Sequence, residues 1–241
     1  MTNQTYMLGN EFVNKILSGE RDFSNIKLEK RFNFNKHEGF ATLNDYLKSQ
    51  TNLSDSPIIL DNSNLKGITA RDLYLPYVSG KFANFRWAKL YKANFECANL
   101  EGAEIRFASL IEANFECANL YNAIFRSTNL RDANMRYANL ERTDISWANL
   151  EGANLERTNL GWANLERTNL GWANLEGANL REANFKFANI IDANLKRAKL
   201  YKANFEDAII NGTRIEKKYA SNKKKKILKK SSTNSKSSNR L

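Results

Sequence analysis

Histidine occurs once in this 241-residue chain, at His37. With no second imidazole there is no histidine-built metal site, and a hydrolase triad would need His37 to reach its partners from a polar N-terminal stretch. The two cysteines, Cys97 and Cys117, are too few for a disulfide framework. No apolar run approaches the roughly 20 residues that span a bilayer. The opening MTNQTYMLGN has neither the basic start nor the apolar stretch of a secretory signal, so a cytoplasmic protein is expected. Gly-rich phosphate loops and nucleophile elbows are missing too. Nothing anchors an enzymatic reading, and no cofactor or metal is expected.

The net charge of +11 at first suggests a nucleic-acid binder. Its placement says otherwise. Residues 1–80 hold nine basic and nine acidic residues, 81–210 hold seventeen and sixteen, and 211–241 hold eleven and one. The body is neutral and the last stretch carries almost all of the charge.

What the chain does have is a strict period of five. From Phe85 through Ile210 every fifth residue is Leu, Phe, Ile or Met. Two residues before each of these centres stands Ala, replaced by Thr only at Thr128, Thr143, Thr158 and Thr168. Asn fills most of the intervening positions, and the last two positions of each step vary freely. An α-helix would rotate the apolar stripe by about 140° per step, and a straight strand would flip successive centres to opposite faces. The pattern therefore requires a bend in every step. A short extended piece points Ala and the centre inward and Asn outward, and the variable pair turns the corner. A small residue beside each large one fits a narrow tube. Asn suits the turns because its side chain bonds nearby backbone, a structural role.

The A-N-L-x-x register, as in Ala148-Asn149-Leu150 and Ala178-Asn179-Leu180, resembles the pentapeptide-repeat family over at least residues 81–210. The resemblance implies an all-β solenoid, a right-handed quadrilateral parallel β-helix with four steps per coil. Independently, Ala-Asn-Phe-Glu-Cys-Ala-Asn-Leu at 93–100 recurs at 113–120, twenty residues on. Cys97 and Cys117 are then stacked one coil apart, and coil duplication is the economical explanation of the pair. Weaker steps run upstream at Ile58/Leu60, Ser63/Leu65, Ile68/Ala70 and Leu73/Leu75, with Pro76 and Gly80 interrupting them. The expected organisation is a partly helical N-terminal cap over 1–56, a solenoid over 57–215 that is regular from 81 to 210, and a disordered Lys/Ser-rich tail over 216–241. Within the cap, Phe12, Val13, Ile16 and Leu17 predict a helix capped by Asn10 and stopped by Gly19. A second helix is expected after Thr42, and Asp22 to Asn35 is read as a stray coil or a strand.

Folding four steps per coil stacks Trp87, Phe107, Trp147 and Phe187 on one face, beside Arg86, Arg106 and Arg126. Aromatic and Arg side chains in one patch suit protein recognition and also nucleic-acid contact. Glu-Arg pairs such as Glu141-Arg142, Glu156-Arg157 and Glu166-Arg167 read as solvated ion pairs. In the tail, Lys223, Lys224, Lys225, Lys226, Lys229 and Lys230 would attract an anionic partner, a nucleic acid or an acidic membrane surface. The leading expectation is a non-enzymatic scaffold for protein–protein interaction, with a homo-oligomer allowed. The family resemblance adds an alternative, because some members modulate type II topoisomerases by resembling B-form DNA. That mechanism needs an acidic rod, and the faces of this one nearly cancel in charge.

Overall fold

A computed structural model describes residues 4–215. In every step the centre residue opens a β-turn closed three residues later, as when Ala163 N–H donates to the Leu160 carbonyl at 3.1 Å. The third turn residue is left-handed in every turn from Asn62 to Gly212, whether Trp147 (φ 62°), Arg157 (φ 55°) or Gly177 (φ 70°). This is the sign pattern of a type II turn. Bulky, charged and aromatic residues occupy the position, but no Val, Ile, Thr or Pro does. The left-handed conformation costs an L-residue about 1–2 kcal/mol. Each step also buries a Leu- or Phe-sized side chain, contributing about 1.5–3 kcal/mol. Burial outweighs the turn.

Four turns return the chain above itself after twenty residues, giving parallel pairs such as Asn139↔Asn159 and Asn159↔Asn179. Backbone hydrogen bonds tie the coils together: Leu160 N–H donates to Asn179 at 2.8 Å and Trp162 N–H to Arg181 at 2.9 Å. The result is the expected β-helical solenoid. Its interior is a column of buried Ala and large apolar residues from Ile58 to Ala208. Like residues stack, Phe95 on Phe115 at 5.3 Å and Phe185 on Phe205 at 4.8 Å. Where Thr replaces Ala its hydroxyl is buried but paired, Thr128 with the Ile105 carbonyl at 2.9 Å and Thr143 with that of Leu140 at 2.7 Å.

Outside, Asn side chains form ladders along the axis. On one face Asn119 donates to Asn99, Asn139 to Asn119, Asn159 to Asn139 and Asn179 to Asn159, over 2.8–3.2 Å. The same oxygens accept from the following turn, as Asn159 does from Gly161 N–H at 3.2 Å. Each amide thus joins its own corner to the neighbouring coil.

Pro76 and Gly80 do not interrupt this register. Pro76 sits just before left-handed Tyr77, where its fixed φ suits the turn. Gly80 takes a centre position, where an added Cβ would come within 2.9 Å of Leu100. Expected inward residues from Ile58 to Leu75 are all buried. Parallel pairing extends upstream of residue 57: Asp22, Lys27 and Asn33 pair with Ile59, Asn64 and Thr69. Asp22 to Asn35 therefore supplies a further coil on three faces, separated from the twenty-residue register by an inserted helix. On it lies β1 (Thr5–Met7), parallel to β2 (Ile26–Leu28).

The first helix, α1 (Gly9–Leu17), packs Phe12 against Phe23 at 4.7 Å and Phe34 at 6.0 Å. Asn10 does not cap it, since it lies inside the helix and bonds Glu11 N–H. Instead the Glu29 carboxylate accepts from Gly9 N–H at 3.0 Å, satisfying a free first-turn donor from a distant segment. Gly19 ends the helix with φ 97°, as expected. The second helix, α2 (Phe40–Ser49), starts before Thr42, which lies within it. Its Asn44 donates to the Asp72 carbonyl at 3.1 Å and accepts from Tyr74 N–H at 3.0 Å. One side-chain amide thereby replaces a strand on the fourth face, where the extra coil supplies none.

Asn44→Ala leaves Tyr74 N–H and the Asp72 carbonyl without that amide, and thermal denaturation should show a loss of about 1–3 kcal/mol. At the left-handed corner, Lys202→Val should lower the melting temperature while Lys202→Gly leaves it equal or higher, because Gly removes the Cβ strain that every L-residue carries there and β-branching adds to it.

Candidate interaction surface

The solenoid projects its variable pairs from four corners, each a column with one member per coil. One corner carries positions 87, 107, 127, 147, 167 and 187. Trp87 stacks on Phe107 with centroids 4.3 Å apart and planes 14° from parallel. Farther along, the Arg167 guanidinium lies 4.7 Å from the Trp147 ring and 4.8 Å from the Phe187 ring, a cation between two aromatic faces. Trp87 and Trp147 remain about half exposed, at 51% and 52%. All seven expected surface residues lie along this one corner.

Their charges are not equivalent. Glu104 draws both Arg86, at 3.8 Å, and Arg106, at 2.7 Å, onto one carboxylate. Arg126 is exposed and has no ion-pair partner among the described residues. The sequence pattern assigns Arg167 only an ion pair with Glu166. That pair exists at 3.0 Å, but the same side chain also completes the stack. Its place one coil from Trp147 and Phe187 was the signal for the second role. Exposed aromatics at other corners, Phe82, Trp162, Trp172 and Tyr201, were also outside the expected surface. They do not form a comparable run. The lysines of the tail, Lys223 to Lys226, Lys229 and Lys230, lie outside the described residues.

Other sites suggested by residue type have local roles. His37 Nδ1 accepts from Gly39 N–H at 3.1 Å, and its ring meets Phe32 edge-on at 5.8 Å. Arg142–Glu141 and Arg157–Glu156, at 3.9 and 3.7 Å, are exposed on the Arg side and contribute little stability. Cys97 and Cys117 are free thiols on one corner, brought one coil apart by Cys97 N–H bonding the Glu116 carbonyl at 2.8 Å. Burial pushes the Cys97 thiol up from its usual range, helped by Cys117 and the Glu96 carboxylate. Among the described residues no group of three or more His, Cys, Asp or Glu could hold a metal ion, and no helix is long and apolar enough to cross a membrane. Cys97 should alkylate more slowly than the exposed Cys117 at mildly alkaline pH, which peptide mapping after brief iodoacetamide treatment would measure.

The sequence model for pentapeptide repeats matches residues 81–116, 113–152, 143–181 and 178–216. No curated protein matches the chain by sequence. Among solved structures it is similar to HetL, a pentapeptide repeat protein involved in heterocyst differentiation regulation in the cyanobacterium Nostoc. That match has 25% identity over 86% of this chain and 96% of HetL, with a TM-score of 0.32. QnrB1, a plasmid-mediated fluoroquinolone resistance protein, is 18% identical over 88% of this chain and 87% of its own, with a TM-score of 0.42. A pentapeptide repeat protein of the Arabidopsis thaliana thylakoid lumen is 23% identical over 52% of this chain and 67% of its own, with a TM-score of 0.30.

Proposed function

The chain belongs to the pentapeptide-repeat family, and from that premise we propose that it is a non-enzymatic, cytoplasmic scaffold whose rod offers the Trp87–Phe187 corner to a partner protein. The observation that carries this reading is the stack itself. Trp87 on Phe107, and Trp147 and Phe187 on either side of Arg167, put large rigid side chains in one exposed line. Buried Trp and Arg dominate the energetics of protein interfaces, and prestacked rings lose little freedom on binding. We read residues 1–56 as a cap that includes the further coil of Asp22 to Asn35, 57–215 as a right-handed solenoid and 216–241 as a tail tethering the rod to an anionic partner.

The second reading is modulation of a type II topoisomerase, which the family resemblance suggests. The near-balance of charge over 81–210 weighs against it, because a DNA mimic needs a continuous acidic face. Inhibition or protection in a gyrase supercoiling assay at micromolar protein would favour it over the scaffold.

Affinity capture from the source cell separates rod from tail. The combined variant Trp87→Ala, Phe107→Ala, Trp147→Ala and Phe187→Ala should lose partners that survive deletion of residues 217–241. Partners held by the tail should instead vanish on deletion and at raised salt. Retention of every rod partner by the fourfold variant would refute the corner as the interface.

A further inference from the structure

The aromatic corner has one missing ring. Successive coils bring Trp87, Phe107, Ser127, Trp147, Arg167 and Phe187 into a single column, and every member but Ser127 carries a planar group. Neighbouring planar groups in the column stand 4.3–4.8 Å apart. Phe107 and Trp147 are two coils apart, a rise of about 9.6 Å at strand-pairing spacing. That spacing admits one planar group with a stacking partner on each side. Ser127 forms the floor, fixed by its N–H to the Ser146 carbonyl at 3.0 Å.

Charge at the gap is equally specific. Arg126 precedes Ser127 in the same turn and is exposed, without an ion-pair partner among the described residues. The neighbouring acids are otherwise engaged. Glu104 holds Arg86 and Arg106, while Asp144 accepts from Ser146 N–H at 3.1 Å and from Asn164 at 3.2 Å.

We propose that the gap between Phe107 and Trp147 is a slot for one aromatic side chain of the partner protein, with a carboxylate nearby on the partner's chain meeting Arg126. This inference rests on the corner being the partner surface, and it names the chemistry the surface selects. A protein ligand fits better than single-stranded nucleic acid. Nucleic acid stacks successive bases and needs a run of free cations, whereas this column offers a single gap beside a single unpaired Arg. Insertion of one ring between two others is the geometry of an interface anchor.

The test uses the full chain, with N-acetyl-tryptophan bearing a free carboxylate, its neutral amide, and an oligothymidine as probes in NMR titrations. The carboxylate probe should shift the resonances of Phe107, Arg126, Ser127 and Trp147 saturably. The amide should bind about three- to tenfold more weakly, since it forfeits the charge-assisted contact. Ser127→Trp should abolish binding by filling the slot from within. Trp already adopts this left-handed position at Trp87, Trp147, Trp162 and Trp172, so an unchanged melting temperature is expected. Ser127→Gly, which keeps the slot open, should retain binding and controls for the fold. Shifts that persist in Ser127→Trp, no saturable binding at millimolar probe, or preferential binding of oligothymidine at these residues would each overturn the slot. If the slot fails while the fourfold alanine variant still loses its partners, the corner remains the interface without this anchor. If those partners are also retained, both readings fall.

Discussion

Everything in this rod depends on the parallel backbone ladder between residue n and residue n + 20. A five-residue step is too short to form a stable element alone, and most strands here amount to one bridging residue. Apart from the turn bond and the Asn contact within each step, only the coil above and the coil below satisfy its amides and carbonyls. The ladder therefore fixes register over the whole length, and with it the column to which each side chain belongs. Asn ladders, buried Phe stacks and corner columns are all consequences of that single spacing.

The same repetition has a conformational cost at the corners. A left-handed residue stands third in every turn from Asn62 to Gly212, and most of these residues are not glycine. The cost is local and similar at each step, as is the burial that offsets it, so stability grows with coil number as expected for a one-dimensional array. It also leaves the corner side chains under weak packing constraint. Ala and the apolar centres are held by the tube, while the left-handed corner position tolerates Trp, Arg, Asp or Cys but holds no β-branched residue. Sequence variation along the rod is confined to the place where packing permits it.

At the N-terminal end, periodicity gives way to individual solutions. Asn44 takes over the hydrogen bonds of a strand, Glu29 satisfies a helix start, and Ser63 reaches back to the Phe23 carbonyl at 2.6 Å. Each joins residues separated by twenty or more positions. No local signal announces them, and local capping rules led elsewhere, to Asn10 and Thr42. Gly80 and Pro76 misled in the opposite direction. Both break an amino-acid pattern without breaking the backbone register, since a centre can be small and the turn's second residue can be proline.

The sequence alone determined that every step bends and buries its Ala and its centre, because a period of five fits neither a helix nor a straight strand; the family resemblance and the recurrence of 93–100 at 113–120 supplied the twenty-residue coil, and with it the column holding Trp87, Phe107, Trp147 and Phe187. The sequence also located the basic charge outside the neutral rod. Only the tertiary structure decided that Asp22 to Asn35 forms a further coil, that α2 completes the fourth face, and that Glu104 occupies two of the three corner arginines. The same holds for Arg167 between two rings and for the bare position at Ser127 beside unpaired Arg126. These features depend on side-chain direction and on contacts between distant segments, which a repeat pattern does not encode.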